Sequence, residues 1–182
     1  MAQKILMLIA PDQFRDEELL VPRKILTEAG WSVETASTRT GTATGMLGAT
    51  EVIHFDLTHA QDQAQKQAYE AVIVVGGMGS PEYLWENAPV HQLLQTLNQQ
   101  HRLIAAICLS GAVLAKAGLL NGKQATVWES PDALAVFKSH QVTYTGDPVT
   151  VDGRFVTANG PEAAEAFAQA ILTQLKTLTP SA

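Results

Sequence analysis

The single cysteine of the chain, Cys108, stands where a run of apolar residues meets a serine and a glycine. The run RLIAAI (102–107) is followed by Cys-Leu-Ser-Gly and then by GAVLAKAG (111–118), which predicts a strand, a sharp turn and a helix. Such a turn presents its side chain above the sheet, and a helix N-terminus favours an anion, so we expect a nucleophile with a lowered thiol pKa. The alternative is a buried apolar cysteine at a strand end.

A glycine-rich turn, VGGMGS (75–80), follows another apolar run. It lacks the Lys-Ser/Thr pair and the spacing of nucleotide-binding glycine loops, which disfavours a phosphate site. Glycines also allow a backbone N–H to point into a site, so the N–H groups of Gly77 and Leu109 are candidates for an oxyanion hole. The alternative is that the glycines only make a tight turn between strand and helix.

Three consecutive acids, Asp16, Glu17 and Glu18, open the first predicted helix. Carboxylates at a helix N-terminus favour the helix dipole, and most are solvated caps. A glutamate directed inward from this position would instead lie near the ends of the next strands, where a protonated carboxyl can hydrogen-bond a thiolate.

The elements that must position these residues follow from the hydrophobic pattern. Runs rich in Ile, Val, Leu and Ala without alternation are typical of strands buried on both faces of a parallel sheet, and apolar residues at helical spacing predict helices between them. An Asp-Gly pair at 152–153 predicts a hairpin. The predicted strands are 4–10, 31–37, 71–77 and 102–108, and the predicted helices are 17–29, 87–100 and 162–178.

This order predicts one α/β domain over residues 1–182, a three-layer, doubly wound and mostly parallel sheet of the flavodoxin-like kind with helices on both faces. In such sheets ligands bind beyond the carboxyl ends of the strands. The loops to search therefore begin at Pro11, Ser37, Gly76 and Cys108.

Composition narrows the classes of function. The net charge is −6 and the twelve Lys and Arg are scattered, so we expect neither nucleic acid nor a membrane surface as partner, and small solutes are favoured. No apolar stretch reaches the length of a membrane span and no signal sequence is evident, so we expect a cytoplasmic protein. One cysteine forms no internal disulfide, and no Cys/His spacing indicates a metal site.

Five segments, taken in order, resemble the ThiJ/PfpI superfamily, whose fold is like that of class I glutamine amidotransferases. They are FRDEELLVP (14–22), TRTGTATGMLG (38–48), VVGGMGSPEYLW (74–85), AAICLSGAVLAKAGLLNGKQAT (105–126) and VDGRFVTANGPEAAEAFAQAI (151–171). The resemblance implies that Cys108 is the nucleophile, and that Glu18, four residues before a proline, is the protonated acid beside its sulfur. It matches Gly77 and Leu109 to the backbone N–H groups of the anion pocket. It also implies a homodimer or larger homo-oligomer.

Two positions depart from the family. Protease-like and glyoxalase-like branches carry a histidine directly after the cysteine, where this chain has Leu109. The branch associated with human parkinsonism carries one in the loop after the next strand, where this chain has Trp128. We expect Gly76 and Trp128 to line the pocket and Trp128 to make it apolar and narrow. The five histidines lie in predicted helices or connecting segments, where we expect most to be exposed: His54, His59, His91, His101 and His140.

The missing histidine disfavours proteolysis, since amide cleavage requires a proton donor for the leaving group. Addition of a thiolate to a reactive aldehyde is less demanding, because it expels no leaving group that would need such a proton donor. We therefore expect a cysteine-dependent, cofactor-independent hydrolase or lyase of the glyoxalase or deglycase type, acting on small reactive carbonyls. The alternative is a redox-sensing or stress-protective module built on the same sulfur. Isocyanide hydration and intracellular proteolysis are less favoured.

Overall fold

The computed structural model describes residues 3–178 and is built around a six-stranded sheet. Within that range two smaller sheets accompany it. The strands are β1 (Lys4–Leu8), β2 (Asp12–Phe14), β3 (Ser32–Ala36), β4 (Gly41–Gly45), β5 (Thr50–Ile53), β6 (Tyr69–Val74), β7 (Leu103–Ile107), β8 (Gln124–Ala125), β9 (Thr143–Tyr144), β10 (Val149–Asp152) and β11 (Phe155–Ala158).

The large sheet has the order β10-β11-β7-β6-β1-β3, and only β10 runs antiparallel to its neighbour. Its central strands β1, β6 and β7 carry side chains that are buried on both faces, which explains their continuous apolar sequence. The hairpin predicted at Asp152-Gly153 is the β10–β11 pair at the edge. The four predicted sheet strands are present, each shorter than its apolar run by one or more residues.

The helices form two layers. One layer holds α1 and α7, with α7 lying on β7 and β11, and the other holds α2 and α4, with α4 lying on β6 and β7. The helices of the described residues are α1 (Asp16–Glu28), α2 (Leu57–Gln65), α3 (Gly79–Tyr83), α4 (Ala88–Gln99), α5 (Gly111–Lys116), α6 (Pro131–Ser139) and α7 (Ala164–Leu178), and short 3₁₀ turns cover Cys108–Ser110 and Pro161–Ala163. The predicted α/β fold with a mostly parallel sheet flanked by helices is thus confirmed. In residues 3–178 no helix has the length and apolar character needed to cross a bilayer.

The small sheet β2-β4-β5 was not predicted, because its strands are short and largely polar. The turn between β4 and β5 is held by Asp16, whose carboxylate accepts hydrogen bonds from the N–H groups of Leu47 (2.9 Å) and Ala49 (2.8 Å). Asp16 is buried rather than a solvated cap. It therefore fixes residues 46–49 over the start of α1, beside the loops that follow β6 and β7.

Candidate active site

Cys108 occupies a strained turn at the carboxyl end of β7. Its φ is +59°, a left-handed conformation that is uncommon for a residue with a Cβ, and the 3₁₀ turn that it begins leads directly into α5. Its side chain is nearly buried, with 7% of the residue exposed, yet it lies in the wall of a cavity. A strained backbone at a cavity is typical of functional positions, which favours the nucleophile over the buried spacer.

Buried hydrogen bonds hold this turn from behind. The Ser110 hydroxyl donates to the carbonyl of Val75 (2.6 Å), and the Ser80 hydroxyl lies 2.8 Å from Ser110. Since the proton of Ser110 points at Val75, Ser80 is the donor of that second bond. The indole of Trp85 donates to the Leu109 carbonyl (2.9 Å). The turn is therefore tied both to the end of β6 and to the start of α3.

The glycine loop permits a close approach of three backbone segments. A Cβ on Gly76 would stand 2.6 Å from the Cβ of Cys108, and one on Gly77, whose φ is +109°, would stand 2.4 Å from the carbonyl oxygen of Gln13. These glycines are required by packing against protein, which explains their presence without a phosphate. The Arg15 N–H donates to the Gly76 carbonyl (3.0 Å) and joins the β2–α1 segment to the same loop.

Glu18 is fully buried in the first turn of α1. Neither of its carboxyl oxygens accepts a hydrogen bond of standard geometry within the described residues, and a Cβ on Gly76 would lie 3.1 Å from Oε1. Burial raises the pKa of Glu18 to about 8, while a hydrogen-bonding interaction with the Cys108 side chain acts in the opposite direction. At neutral pH Glu18 is therefore mostly a neutral acid, placed against the thiol.

The expected lowering of the thiol pKa is wrong. Burial, followed by the charge of Glu18, raises the pKa of Cys108 to about 12, and the backbone N–H groups of Leu109 and Gly77 oppose this shift without overcoming it. The physical reason is that the sulfur is largely buried and stands next to the Glu18 carboxyl, and both conditions disfavour the thiolate. The N–H groups of Leu109 and Gly77 are hydrogen-bonding partners of the Cys108 sulfur.

A cavity of about 620 Å³ opens onto the sulfur, within the usual range for small-molecule sites. Of the predicted residues, Gly77, Cys108, Leu109 and Trp128 line it, whereas Gly76 and Glu18 lie behind the sulfur and outside the lining. Trp128 does not narrow the cavity as expected, because that residue is 48% exposed and its ring packs on Gly160 at one side. The complete lining is Arg15, Glu17, Met46, Gly77, Met78, Cys108, Leu109, Trp128, Asn159, Gly160, Pro161 and Glu162.

The charged pair Arg15–Glu17 was missed by the sequence analysis. The guanidinium donates from Nε to Oε2 (2.8 Å) and from Nη2 to Oε1 (3.1 Å) of Glu17, and both side chains line the cavity. This ion pair lowers the pKa of Glu17, so that residue is a carboxylate. The signal was the arginine directly before the acidic run, in a loop already expected to face the site.

No histidine lines the cavity, although all five fall within the described residues. His54 and His101 are exposed, whereas the other three are partly buried, so the expectation that most are exposed is wrong. Their partners explain this: His59 Nε2 lies 3.1 Å from Glu34, His91 Nε2 lies 2.8 Å from the Trp85 carbonyl, and His140 Nδ1 lies 3.0 Å from the Val136 carbonyl. Within residues 3–178, no group of three or more His, Cys, Asp or Glu could hold a metal ion.

The fold and the site define a class, an α/β protein that carries a cysteine on a strained turn at the carboxyl end of a mostly parallel sheet, next to a buried glutamate. The chain belongs to the DJ-1/PfpI family, whose model matches residues 3–174. This confirms the resemblance found in the sequence.

Individual relatives are similar over almost the whole chain. An uncharacterised protein of Methanocaldococcus jannaschii is 38% identical over 95% of this chain and 82% of its own, and a Pyrococcus horikoshii protein named deglycase is 29% identical over 95% and 99%. Among solved structures, a ThiJ/PfpI domain protein of Brachyspira murdochii has a TM-score of 0.89 at 27% identity, covering 98% of this chain and 99% of its own. Oxidised DJ-1 of Toxoplasma gondii has a TM-score of 0.81 at 27% identity, covering 98% and 91%.

Proposed function

We propose that this protein is a cysteine-dependent, cofactor-independent enzyme of the glyoxalase or deglycase type that acts on small reactive carbonyl compounds. The observation that carries the proposal is the placement of Cys108 in a strained turn at a cavity, with a neutral acid, Glu18, against its thiol. A family relative named deglycase, 29% identical over 95% of this chain, supports the reaction class.

The first chemical step is addition to an aldehyde. As Cys108 loses its proton, a sulfur electron pair forms a bond to the aldehyde carbon, and the carbon–oxygen π pair moves to oxygen, which takes up a proton to give a hemithioacetal. The N–H groups of Gly77 and Leu109 are placed to stabilise negative charge at the turn. Glu18 carries the proton between sulfur and oxygen, since its pKa of about 8 allows both forms near neutral pH.

For an α-oxoaldehyde, two further steps complete the reaction. In the first, the carboxylate form of Glu18 takes the proton from the carbon bonded to sulfur, the C–H electron pair forms a carbon–carbon double bond, and the ketone oxygen takes up a proton to give an enediol. Glu18 then returns its proton to the former ketone carbon while the hydroxyl on the sulfur-bearing carbon loses its proton, which gives a thioester of an α-hydroxy acid. Water then adds to the thioester, and the carbon–sulfur bond breaks to release the hydroxy acid and the thiol. Because the reacting carbon is bonded to the Cys108 sulfur, its C–H stands beside the carboxyl that contacts that sulfur.

Conversion of methylglyoxal to lactate, followed by proton NMR, tests the proposal. We expect turnover by the wild type, none by Cys108→Ala, and a loss of at least about 100-fold in Glu18→Gln, the usual contribution of a positioned acid–base group. Arg23→Gln is the matched control, because Arg23 lies on the same helix α1, pairs with Glu51 and does not line the cavity. Equal rates in the wild type and Cys108→Ala contradict the proposal.

The second candidate function is redox sensing, and the solved structure of oxidised DJ-1 from Toxoplasma gondii supports it. Peroxide would convert the Cys108 thiol to a sulfenic acid with release of water, and a second equivalent would give the sulfinic acid. Mass spectrometry after mild peroxide treatment tests this. Met46 and Met78, which are 38% and 58% exposed, provide an internal comparison. Oxidation of these methionines with Cys108 unmodified contradicts a sensor role.

We also propose a homodimer or larger homo-oligomer, as the family resemblance implies. Exposed apolar side chains at the cavity mouth, Met78 and Trp128, give this face the character of a contact surface. Sedimentation velocity measures the state, and a monomer at micromolar concentration contradicts this assignment.

A further inference from the structure

Arg15 brings hydrogen-bond donors into the cavity that the protein does not use. Its Nε and Nη2 atoms are engaged by Glu17, whereas Nη1 donates no hydrogen bond within the described residues. The side chain is 27% exposed and lines the same cavity as Cys108. The Arg15 backbone N–H is bonded to Gly76, which fixes the residue beside the turn that carries the sulfur.

The charges around Nη1 restrict what it can bind. The charged side chains in the lining are Arg15, Glu17 and Glu162, one basic and two acidic, and the bidentate pair with Glu17 neutralises the guanidinium locally. An anionic group brought to Nη1 would meet this excess of negative charge. A neutral oxygen acceptor would receive the free N–H groups without that repulsion.

We propose that Arg15 Nη1 forms a subsite for the neutral oxygen atom next to the reacting carbonyl, which selects α-oxoaldehydes over simple aldehydes and over α-oxo acids. This inference rests on the proposed function, because it assumes that an aldehyde carbon is attacked by Cys108. The guanidinium donates to the ketone oxygen while sulfur bonds to the aldehyde carbon, whose π electrons move to its own oxygen. Arg15 exchanges no proton in this step and holds the second carbonyl in place.

Three small aldehydes test separately whether the subsite needs an oxygen atom next to the reacting carbonyl and whether that oxygen must be neutral. Methylglyoxal offers a neutral ketone oxygen, propanal has the same number of carbon atoms but lacks that oxygen, and glyoxylate replaces it with a carboxylate. Adducts at Cys108, quantified by native mass spectrometry of the intact protein, report binding and addition without requiring turnover, and steady-state KM values follow where turnover occurs.

We expect the wild type to prefer methylglyoxal over propanal by about tenfold or more, the value of one hydrogen bond to a charged donor. Arg15→Gln lowers that preference by about tenfold, because the loss of the hydrogen bond to the ketone oxygen weakens the reaction of methylglyoxal more than that of propanal. Arg23→Gln, which removes a bidentate arginine in α1 that lies outside the cavity, keeps the wild-type preference.

Glu17→Gln tests the charge argument. It leaves Arg15 with an uncompensated positive charge, so we expect glyoxylate, the poorest of the three with the wild type, to improve by about tenfold relative to methylglyoxal. An unchanged methylglyoxal-to-propanal ratio in Arg15→Gln overturns the subsite, as does a wild-type preference for glyoxylate. Absence of any Cys108 adduct in the wild type would instead refute the proposed function from which the subsite follows.

Discussion

The chemistry at Cys108 is governed by one neighbouring carboxyl. Glu18 and Cys108 are both buried, and burial raises the pKa of each. The nearby carboxylate of Glu17 is held by Arg15, so among residues 3–178 Glu18 is the acid that acts on the thiol. The thiol is therefore protonated at neutral pH, and in the proposed reaction it gives up its proton only as the substrate oxygen takes one up. Such a sulfur differs from an exposed thiolate, which reacts with any electrophile that reaches it.

Replacing Glu18 by glutamine should lower the pKa of Cys108, because the carboxylate charge, the largest contribution after burial, is removed. We expect the rate of alkylation by iodoacetamide to reach its upper plateau at lower pH in Glu18→Gln than in the wild type. Cys108 is the only cysteine, so the reaction reports this site alone.

Denaturant provides the control, because wild type and variant should then react at the same rate. A shift of the folded-state profile toward higher pH would mean that the protonated carboxyl of Glu18, by donating to the sulfur, outweighs the repulsion from its charged form.

At the scale of elements, three loops form the site, and hydrogen bonds join each loop to the next. The β2–α1 loop is joined to the glycine loop through Arg15 and Gly76, and the glycine loop is joined to the cysteine turn through Ser80 and Ser110. The N–H groups of Gly77 and Leu109 belong to the two loops that the serines connect. The serine pair therefore sets the spacing of the two donors that act on the sulfur.

Ser110→Ala should destabilise the protein by about 1–3 kcal/mol, since it leaves the buried Val75 carbonyl and the Ser80 hydroxyl without their partner. It should also speed alkylation of Cys108, because a turn without this anchor exposes the sulfur, whose burial keeps its pKa high. Chemical denaturation and alkylation kinetics measure the two effects.

A Ser80→Ala/Ser110→Ala double mutant should be less destabilised than the sum of its single mutants, because the two hydroxyls interact. The control is Ser139→Ala, an exposed serine that also donates to a backbone carbonyl, at Val136. Additive single-mutant effects would show that the two serines act independently.

The sequence predicted the elements whose burial produces a clear pattern of apolar residues. The continuous apolar runs identified β1, β3, β6 and β7, and the strand-turn-helix pattern placed Cys108 correctly. It did not predict the sheet β2-β4-β5, because its short, polar strands resemble loops. Nor did it predict the raised thiol pKa, which depends on how deeply the turn is buried and on where Glu18 points. Such properties follow from tertiary packing and leave no local pattern.

At the scale of the whole molecule, a parallel sheet brings residues that are distant in the sequence to one edge. Glu18, in the first turn of α1, meets Gly77, Cys108 and Gly160, from three different loops, beyond the carboxyl ends of β1, β6, β7 and β11. The same packing buries an ionisable carboxyl in the core. Because ionisation of a buried carboxyl is unfavourable, Glu18 should lower the free energy of unfolding at pH values where the same group in the unfolded chain is ionised.

Glu18 should therefore make the stability of the wild type depend on pH. Its pKa is raised from an ordinary value of 4.5 to about 8, so between these values the folded chain keeps a proton that the unfolded chain has released. The free energy of unfolding should fall as pH rises through this window, by up to about 1.4 kcal/mol per pH unit, and the slope from this group should end above its folded-state pKa. Glu18→Gln, which has nearly the same shape and no charge, should lose that slope.

Chemical denaturation at a series of pH values from 4 to 9 measures the slope, with the difference between wild type and variant isolating Glu18 from every other titrating group. Glu165→Gln, at an exposed position of α7, should keep the wild-type slope. Parallel curves for the wild type and Glu18→Gln would show that Glu18 ionises in the folded protein as readily as in the unfolded chain, which would remove the neutral acid on which the chemistry at Cys108 depends.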